Sequence, residues 1–190
     1  EKVWPQLRDF WQENGFLLVQ DDERLGIMET DWAENRAKIP QDFIRNTLGK
    51  VFDGLYSTGE RDKFRTRIER SSNGTEIYIT HRGMQEVAPD TKTSLSAIGS
   101  TIWAPRDADP ELETEFLRRL MVRLGVDEQR AQTVAAASAP VTAPAKVSTI
   151  NGQPAVELND DFDRAWRRVG LSLDRTGFTV EDRDRAQGVY

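Results

Sequence analysis

The stretch VWPQLRDFWQENGFLLVQDDERLGIM, residues 3–28, returns as AWRRVGLSLDRTGFTVEDRDRAQGVY, residues 165–190, shifted by 162 positions without a gap. Trp4 falls on Trp166, Gly15 on Gly177, Phe16 on Phe178, Asp22 on Asp184 and Gly26 on Gly188. The apolar positions between them also correspond: Leu7 with Val169, Trp11 with Leu173, Leu18 with Val180, Ile27 with Val189. An offset of that size is the spacing of two domains, not a solenoid period. The second occurrence stops where the first is entering its second strand. The expected organisation is therefore a nearly complete domain over 1–130, an Ala/Pro/Thr-rich flexible linker over 131–152, and the start of a second copy over 153–190.

Each occurrence reads as a helix that a glycine ends. Val3, Leu7 and Trp11, with Trp4 and Phe10, form an apolar stripe at helical spacing, and Gly15 stops it. In the second copy Asn159, Asp160 or Asp161 can cap. Phe162, Trp166, Val169 and Leu173 line one face there, and Gly177 closes the helix. A strand follows each stop, Phe16–Gln20 or Phe178–Asp182, then an acidic turn and a second strand. A strand at Ala155–Leu158 leads into the second helix, and symmetry predicts a matching strand ahead of Glu1. The chain opens at Glu1 with neither Met nor signal peptide, which suggests that an upstream segment has been removed.

Between the copies lies the clearest β signal. Lys63–Arg70 and Thr75–Arg82 flank Ser71-Ser72-Asn73-Gly74, a hairpin loop with Asn-Gly at its end. Alternation puts Phe64, Thr66, Ile68, Ile77, Ile79 and His81 on the inner face. Lys63, Arg65, Arg67 and Glu69 share the outer face with Glu76, Tyr78, Thr80 and Arg82. A short helix is expected around Phe43–Phe52, a polar loop over 89–100 and a short strand ending at Trp103. Asp109-Pro110-Glu111 starts a long helix with Leu112, Phe116, Leu120 and Leu124 as its buried stripe and Gly125 at its end. Helices and sheet each have one apolar face, so the fold class is α+β, with both helices of the first domain on one side of an antiparallel sheet.

The chain offers little catalytic chemistry. It has no cysteine and a single histidine, so no thiolate site, Cys nucleophile or ordinary zinc site can be assembled from it. His81 reads as a hydrogen-bonded inner-face residue. The carboxylates Asp21, Asp22 and Glu23, then Glu29, Asp31 and Glu34, then Asp107 and Asp109 could in principle pair for acid–base work. Recurrence of Asp22 as Asp184 is better explained by turn chemistry, and the Asp182, Asp184, Gly188 spacing does not make a calcium loop. No metal or other cofactor site is expected. A net charge of −6 argues against nucleic acid as a partner, and no apolar run is long enough to span a bilayer. Trp4, Trp11 and Trp166 read as core, whereas Trp32 and Trp103 read as partly exposed. The best interaction candidate is the cationic row Lys63, Arg65, Arg67 and Arg82 with Tyr78 as an apolar anchor, a docking face for an acidic partner or lipid headgroup.

The segments Gly59-Glu60-Arg61-Asp62-Lys63-Phe64-Arg65-Thr66-Arg67 and Glu76-Ile77-Tyr78-Ile79-Thr80-His81-Arg82-Gly83 resemble the C lipoprotein of the bacterial outer-membrane β-barrel assembly machinery, the BamC or NlpB family. So does Asp109-Pro110-Glu111-Leu112-Glu113 running into Phe116-Leu117-Arg118-Arg119-Leu120-Met121. The Trp-to-Gly-Phe repeat fits the two tandem helix-grip domains of that family. The resemblance implies a non-enzymatic accessory lipoprotein of the outer membrane, its domains in the periplasm or at the cell envelope. It would act as an interaction scaffold through several weak surfaces on one chain. It implies other assembly subunits as partners. Chief among them is the D lipoprotein, bound through an extended N-terminal segment that these residues do not include, as they do not include the lipidated Cys. The competing reading is a small-molecule or lipid binding module using the groove between the Leu112–Leu124 helix and the sheet, which requires an open apolar cavity there.

Overall fold

The computed structural model describes residues 2–34, 59–71, 74–88, 101–137, 145–178 and 180–190. The expected helix around Phe43–Phe52, the polar stretch 89–100 and the turn residues Ser72 and Asn73 lie outside them.

Helix α1 (Val3–Glu13) buries Trp4, Leu7, Phe10 and Trp11 on one face. It ends as its stop glycine demands. Gly15 takes φ +81°, and the Phe16 amide bonds back to the Trp11 carbonyl at 2.9 Å, so Phe16 returns to the core its helix lines. That reversal uses residues through Leu17, which is why β1 (Leu18–Asp22) begins two residues later than the alternation suggests. β2 (Ile27–Thr30) and the short β3 (Ala33–Glu34) follow.

The hairpin of β4 (Glu60–Ser71) and β5 (Gly74–Val87) extends beyond its expected outer limits, with Phe64 opposite His81 and Arg67 opposite Tyr78. Its register assigns the two faces as the sequence does. β6 (Ile102–Arg106) runs through and past Trp103 rather than ending there. Its Pro105 is tolerated because β6 is an edge strand. The strands pair antiparallel in the order β1-β2-β4-β5-β6, with β3 also on β4.

α2 (Pro110–Arg123) starts where Asp109 caps it, accepting from the amides of Glu111 and Leu112. Its buried face is Glu113, Phe116 and Leu120. Leu124, expected in that stripe, is 36% exposed because the helix is already ending there.

α1 and α2 both pack on the inner face of the sheet. The rings of Trp11, Phe64 and Phe116 stack or tilt against one another at 4.5–5.3 Å, with Phe16 edge-on to all three. Each such buried aromatic contributes about 1.5–3 kcal/mol from apolar area, plus a smaller term for its ring geometry. The Trp11 indole N–H, a polar group within this cluster, donates to Thr66 at 2.9 Å. The space between α2 and the sheet is therefore filled by side chains, and the small-molecule reading loses the groove it requires.

Part of the expected linker is ordered. α3 (Glu128–Ala137) occupies its first residues, with Asp127 accepting from the amides of Gln129 and Arg130 and with Ala131 fully buried. Low charge suggested a mobile tether, but alanine is also the best helix former. A hairpin of β7 (Ala145–Ile150) and β8 (Gln153–Leu158) occupies the other end, turning at Asn151 and Gly152, both with positive φ. Residues 138–144 between them lie outside the described set.

α4 (Phe162–Thr176) is capped by Asp161 and ended by Gly177 at φ +79°. Its buried residues are Trp166, Gly170 and Asp174; the expected face fails at Phe162 and Val169, 53% and 39% exposed. Of the strand expected over Phe178–Asp182, the described residues, Phe178 and 180–182, are not in a strand. Only the bridge between Asp184 and Val189 closes the turn that follows. In the first copy β2 is held by β4, and among the described residues the second copy has no such neighbour. α4 lies on the outer face of the sheet, so this α+β fold carries helices on both faces.

Candidate functional site

The outer face alternates charge along β4. Lys63, Arg65, Arg67 and Glu69 point one way because Phe64, Thr66 and Ile68 must point the other. Facing them on β5 are Arg82, Thr80, Tyr78 and Glu76. Such a row is usually wet, yet Arg65 is 7% exposed and Arg67 2%. What covers them is α4 and the segment after it.

The ion pairs run in a chain. Lys63 Nζ meets Glu29 at 2.9 Å, and the other Glu29 oxygen meets Arg65 at 2.7 Å. Arg65 then reaches Asp174 at 3.5 Å and the carbonyl of Phe178 at 2.9 Å. Arg67 Nε donates to Asp174 at 2.8 Å, and its Nη1 bonds Glu69. Glu69 also meets Arg183 at 3.2 Å. Arg183 in turn donates to the carbonyls of Ile68 and Leu25 at 3.2 and 3.3 Å. Burial alone would raise the Glu29 carboxyl, but Lys63 and Arg65 overcome it and hold the group below its ordinary value. Arg67 also lies over the Tyr78 ring at 4.5 Å. Burial, with the Glu76 carboxylate beside it, pushes the Tyr78 phenol up to about 12.

Small residues let the helix come close. A Cβ on Gly170 would lie 2.5 Å from the Tyr190 hydroxyl and 2.7 Å from Arg67, and one on Gly177 2.6 Å from the Arg82 guanidinium carbon. Trp166 stacks on Tyr190 at 3.9 Å, whose hydroxyl donates to the Trp166 carbonyl at 2.9 Å.

Of the residues singled out from sequence, Lys63, Arg65, Arg67, Tyr78 and Arg82 all share this one face. The sequence missed Glu29, Asp174 and Arg183, which complete the network. Gly170 and Asp174, four residues apart on one side of the helix, were the available signal. Beyond the covered region, Trp32 lies beside Lys63 and Arg82 at 5.4 and 5.7 Å, and Trp103 beneath Arg61 at 4.0 Å.

The inner face has its own polar group. His81 is fully buried. Its Nδ1 accepts from the Asp109 amide at 2.9 Å and its Nε2 lies 2.8 Å from Asp62, so the ring proton sits on Nε2. Asp62 also bonds Arg106, and Glu113 accepts from the His81 amide at 3.0 Å while gripping Arg175 of α4. No nucleophile joins this set, and it performs a structural task.

Several of the acidic groups weighed for catalysis are similarly engaged. Asp21 accepts from Trp4 and Arg8, Glu34 pairs with Arg61, and Asp22 and Asp184 each cap their own turn. Among the described residues no group of three or more potential ligands is placed to hold a metal ion, and no helix is long and apolar enough to cross a membrane.

Two family models match the chain. That of the outer membrane protein assembly factor BamC-like N-terminal domain covers residues 1–138, and that of the BamC-like C-terminal domain residues 145–190. The outer membrane protein assembly factor BamC of Thiobacillus denitrificans is 60% identical over 190 residues, 100% of this chain and 50% of that protein. Its namesake in Accumulibacter regalis is 55% identical over 194 residues, covering 100% and 49%. An uncharacterized protein of Neisseria meningitidis serogroup B is 45% identical over 183 residues, covering 94% and 44%. The chain spans about half the length of these relatives.

Proposed function

The chain belongs to the BamC-like family of outer membrane protein assembly factors, and from that membership we propose that it acts as a non-enzymatic accessory subunit in the assembly of outer-membrane β-barrel proteins. The family match over residues 1–138 carries this reading. The mechanism is scaffolding: folded surfaces, rather than reactive groups, hold other assembly subunits near one another. The engagement of the buried His81 and of Asp21, Asp22, Glu29, Glu34 and Asp109 in structural bonds supports it.

Residues 1–130 form the first helix-grip domain in this proposal, and residues 153–190 open a second. The whole protein is an outer-membrane lipoprotein whose domains lie in the periplasm or at the cell envelope. Its partners are other subunits of the assembly machinery, the D lipoprotein among them. The resemblance assigns that contact to an extended segment outside these 190 residues. The row Lys63, Arg65, Arg67, Tyr78 and Arg82 has the chemistry of a protein-binding face, charged at the guanidinium groups and apolar at the phenol ring, with Arg65 and Arg67 already taken up by α4 of the same chain.

The test is to tag the full-length native protein, crosslink intact envelopes and identify the captured proteins by mass spectrometry. Recovery of the barrel subunit and the D lipoprotein is expected. Efficient capture without any assembly subunit would overturn the proposal.

A further inference from the structure

The repeat allows α4 to be laid against α1 residue by residue. In α1 the core positions are Trp4, Leu7, Phe10 and Trp11, whose counterparts are Trp166, Val169, Ser172 and Leu173. The residues that α4 presses onto the sheet, Gly170 and Asp174, correspond instead to Arg8 and Gln12, which α1 turns toward solvent. Apart from Trp166, which is buried against Tyr190 while its counterpart Trp4 is buried in the first copy, the helix of the second copy is thus seated by the side that the first copy leaves free.

Its core-type side is still open. The apolar residues Leu173, Phe178, Val180, Val189 and Tyr190 line a cleft of about 530 Å³ together with the charged run Glu181 to Asp184. Of the counterparts of those apolar residues, Trp11, Phe16, Ile27 and Met28 are buried in the first copy and Leu18 is half-buried, and Phe64 and Phe116 close the same space there. One side of α4 has the composition of a domain core, and an adjacent side carries a single acid between two glycines. That second side fits the cationic row in charge and in depth.

We propose that α4 is a shared helix, and that the cationic face of the first copy is the receptor for it in cis. Asp174 keys the seat by engaging Arg67 and Arg65. Gly170 and Gly177 let the helix backbone approach Arg67 and Arg82, and Arg175 with Glu113 and Arg183 with Glu69 clasp its flanks. The two copies consequently move as one body despite the intervening stretch. Partners in trans meet the uncovered end of the sheet, around Trp32 and Trp103, rather than the arginines beneath α4. The seat rests on the distances above. Only the outward side of the helix rests on the reading of 153–190 as a second copy.

The chain has no cysteine, so spin labels can be placed cleanly at Thr75→Cys and Ser172→Cys and their separation measured by pulsed electron resonance. The unsubstituted background is expected to give one narrow distance distribution. Asp174→Arg should abolish it, and Asp174→Arg with Arg67→Asp should regain it. Near-ultraviolet circular dichroism from Trp4 and Trp11 should stay unchanged in Asp174→Arg, showing an intact first domain. Phe178→Ala, on the outward side, should leave the distance unchanged. A broad distribution in the background protein, or a narrow one surviving Asp174→Arg, overturns the seat. Broadening by Phe178→Ala as large as that of Asp174→Arg overturns the division into two sides. A dimer by light scattering, with the narrow distance arising between two chains, overturns the assignment in cis. None of these results depends on which envelope proteins are captured, so the scaffold reading stands or falls separately.

Discussion

The two copies of the repeat share their helix end and their turn and differ in what buries them. Asp22 and Asp184 each accept amide hydrogen bonds from the residues just after them, and Gly26 and Gly188 hold φ of +65° and +71°. Yet Phe16 is 1% exposed and Phe178 63%. Local sequence dictates the cap, the reversal and the turn, because their bonds close within a few residues. Burial is conferred from elsewhere. Phe16 is buried by Phe64 and Phe116, which lie far along the chain.

The comparison breaks most visibly in the core. Phe116→Ala should cost about 3–5 kcal/mol, whereas Leu173→Ala, at a cleft wall, should cost under about 1 kcal/mol. Urea denaturation followed by tryptophan fluorescence measures both, and equal losses would mean that the second copy has a closed core after all. Next in size is the seat. Asp174→Ala removes a carboxylate from two buried guanidinium groups and should cost about 2–3 kcal/mol, with faster amide exchange along α4. Its counterpart Gln12→Ala, on an exposed position, should stay within about 0.5 kcal/mol.

The shared turn sharpens the contrast at smaller scale. Gly26→Ala places a Cβ 2.5 Å from the Ile68 carbonyl oxygen at positive φ, for about 1–3 kcal/mol of lost stability. Gly188→Ala meets only the Phe162 ring at 3.4 Å and should cost about 1–2 kcal/mol for its backbone alone. Thermal melts of the two variants give the order. The smallest effect is that of pH. Glu29 sits below its ordinary value when folded, so its contribution is fully present above the unfolded pKa near 4.5 and is lost as pH falls through the lower folded value. Denaturation midpoints between pH 7 and pH 3 should fall more for the native chain than for Glu29→Gln. Equal falls would remove Glu29 from the cause.

What was legible in the sequence follows the same division. Alternation assigned both faces of the hairpin, Asp109 and Pro110 marked the start of α2, and the glycines marked both helix ends. Each of these is decided by neighbours in the chain. The occupant of the outer face was not legible. Period-two patterning separates Arg65 from Phe64 but says nothing of whether the polar side is wet, and the residue that dries it, Asp174, lies 109 positions away. The candidate face itself was identified from its residue types, while its internal partner was missed. Glu113 was missed for a related reason: a carboxylate at a buried helical position looks like an error until the strand amide it satisfies is known. The Ala-rich stretch misled because its composition suits both a tether and a helix.

That carboxylate has a further consequence. β6 covers β5 only over Gly83–Val87, so the outer edge of the preceding residues has no strand beside it among those described. Glu113 occupies one of its free amides, at His81, and draws Arg175 across the same margin. A row of unpaired amides is a template on which another chain can add itself. A bulky charged plug at that margin blocks growth of the sheet by addition. α2 thus lines the core with Phe116 and Leu120 and, through Glu113, sets an obstacle at the sheet margin to addition of a further strand.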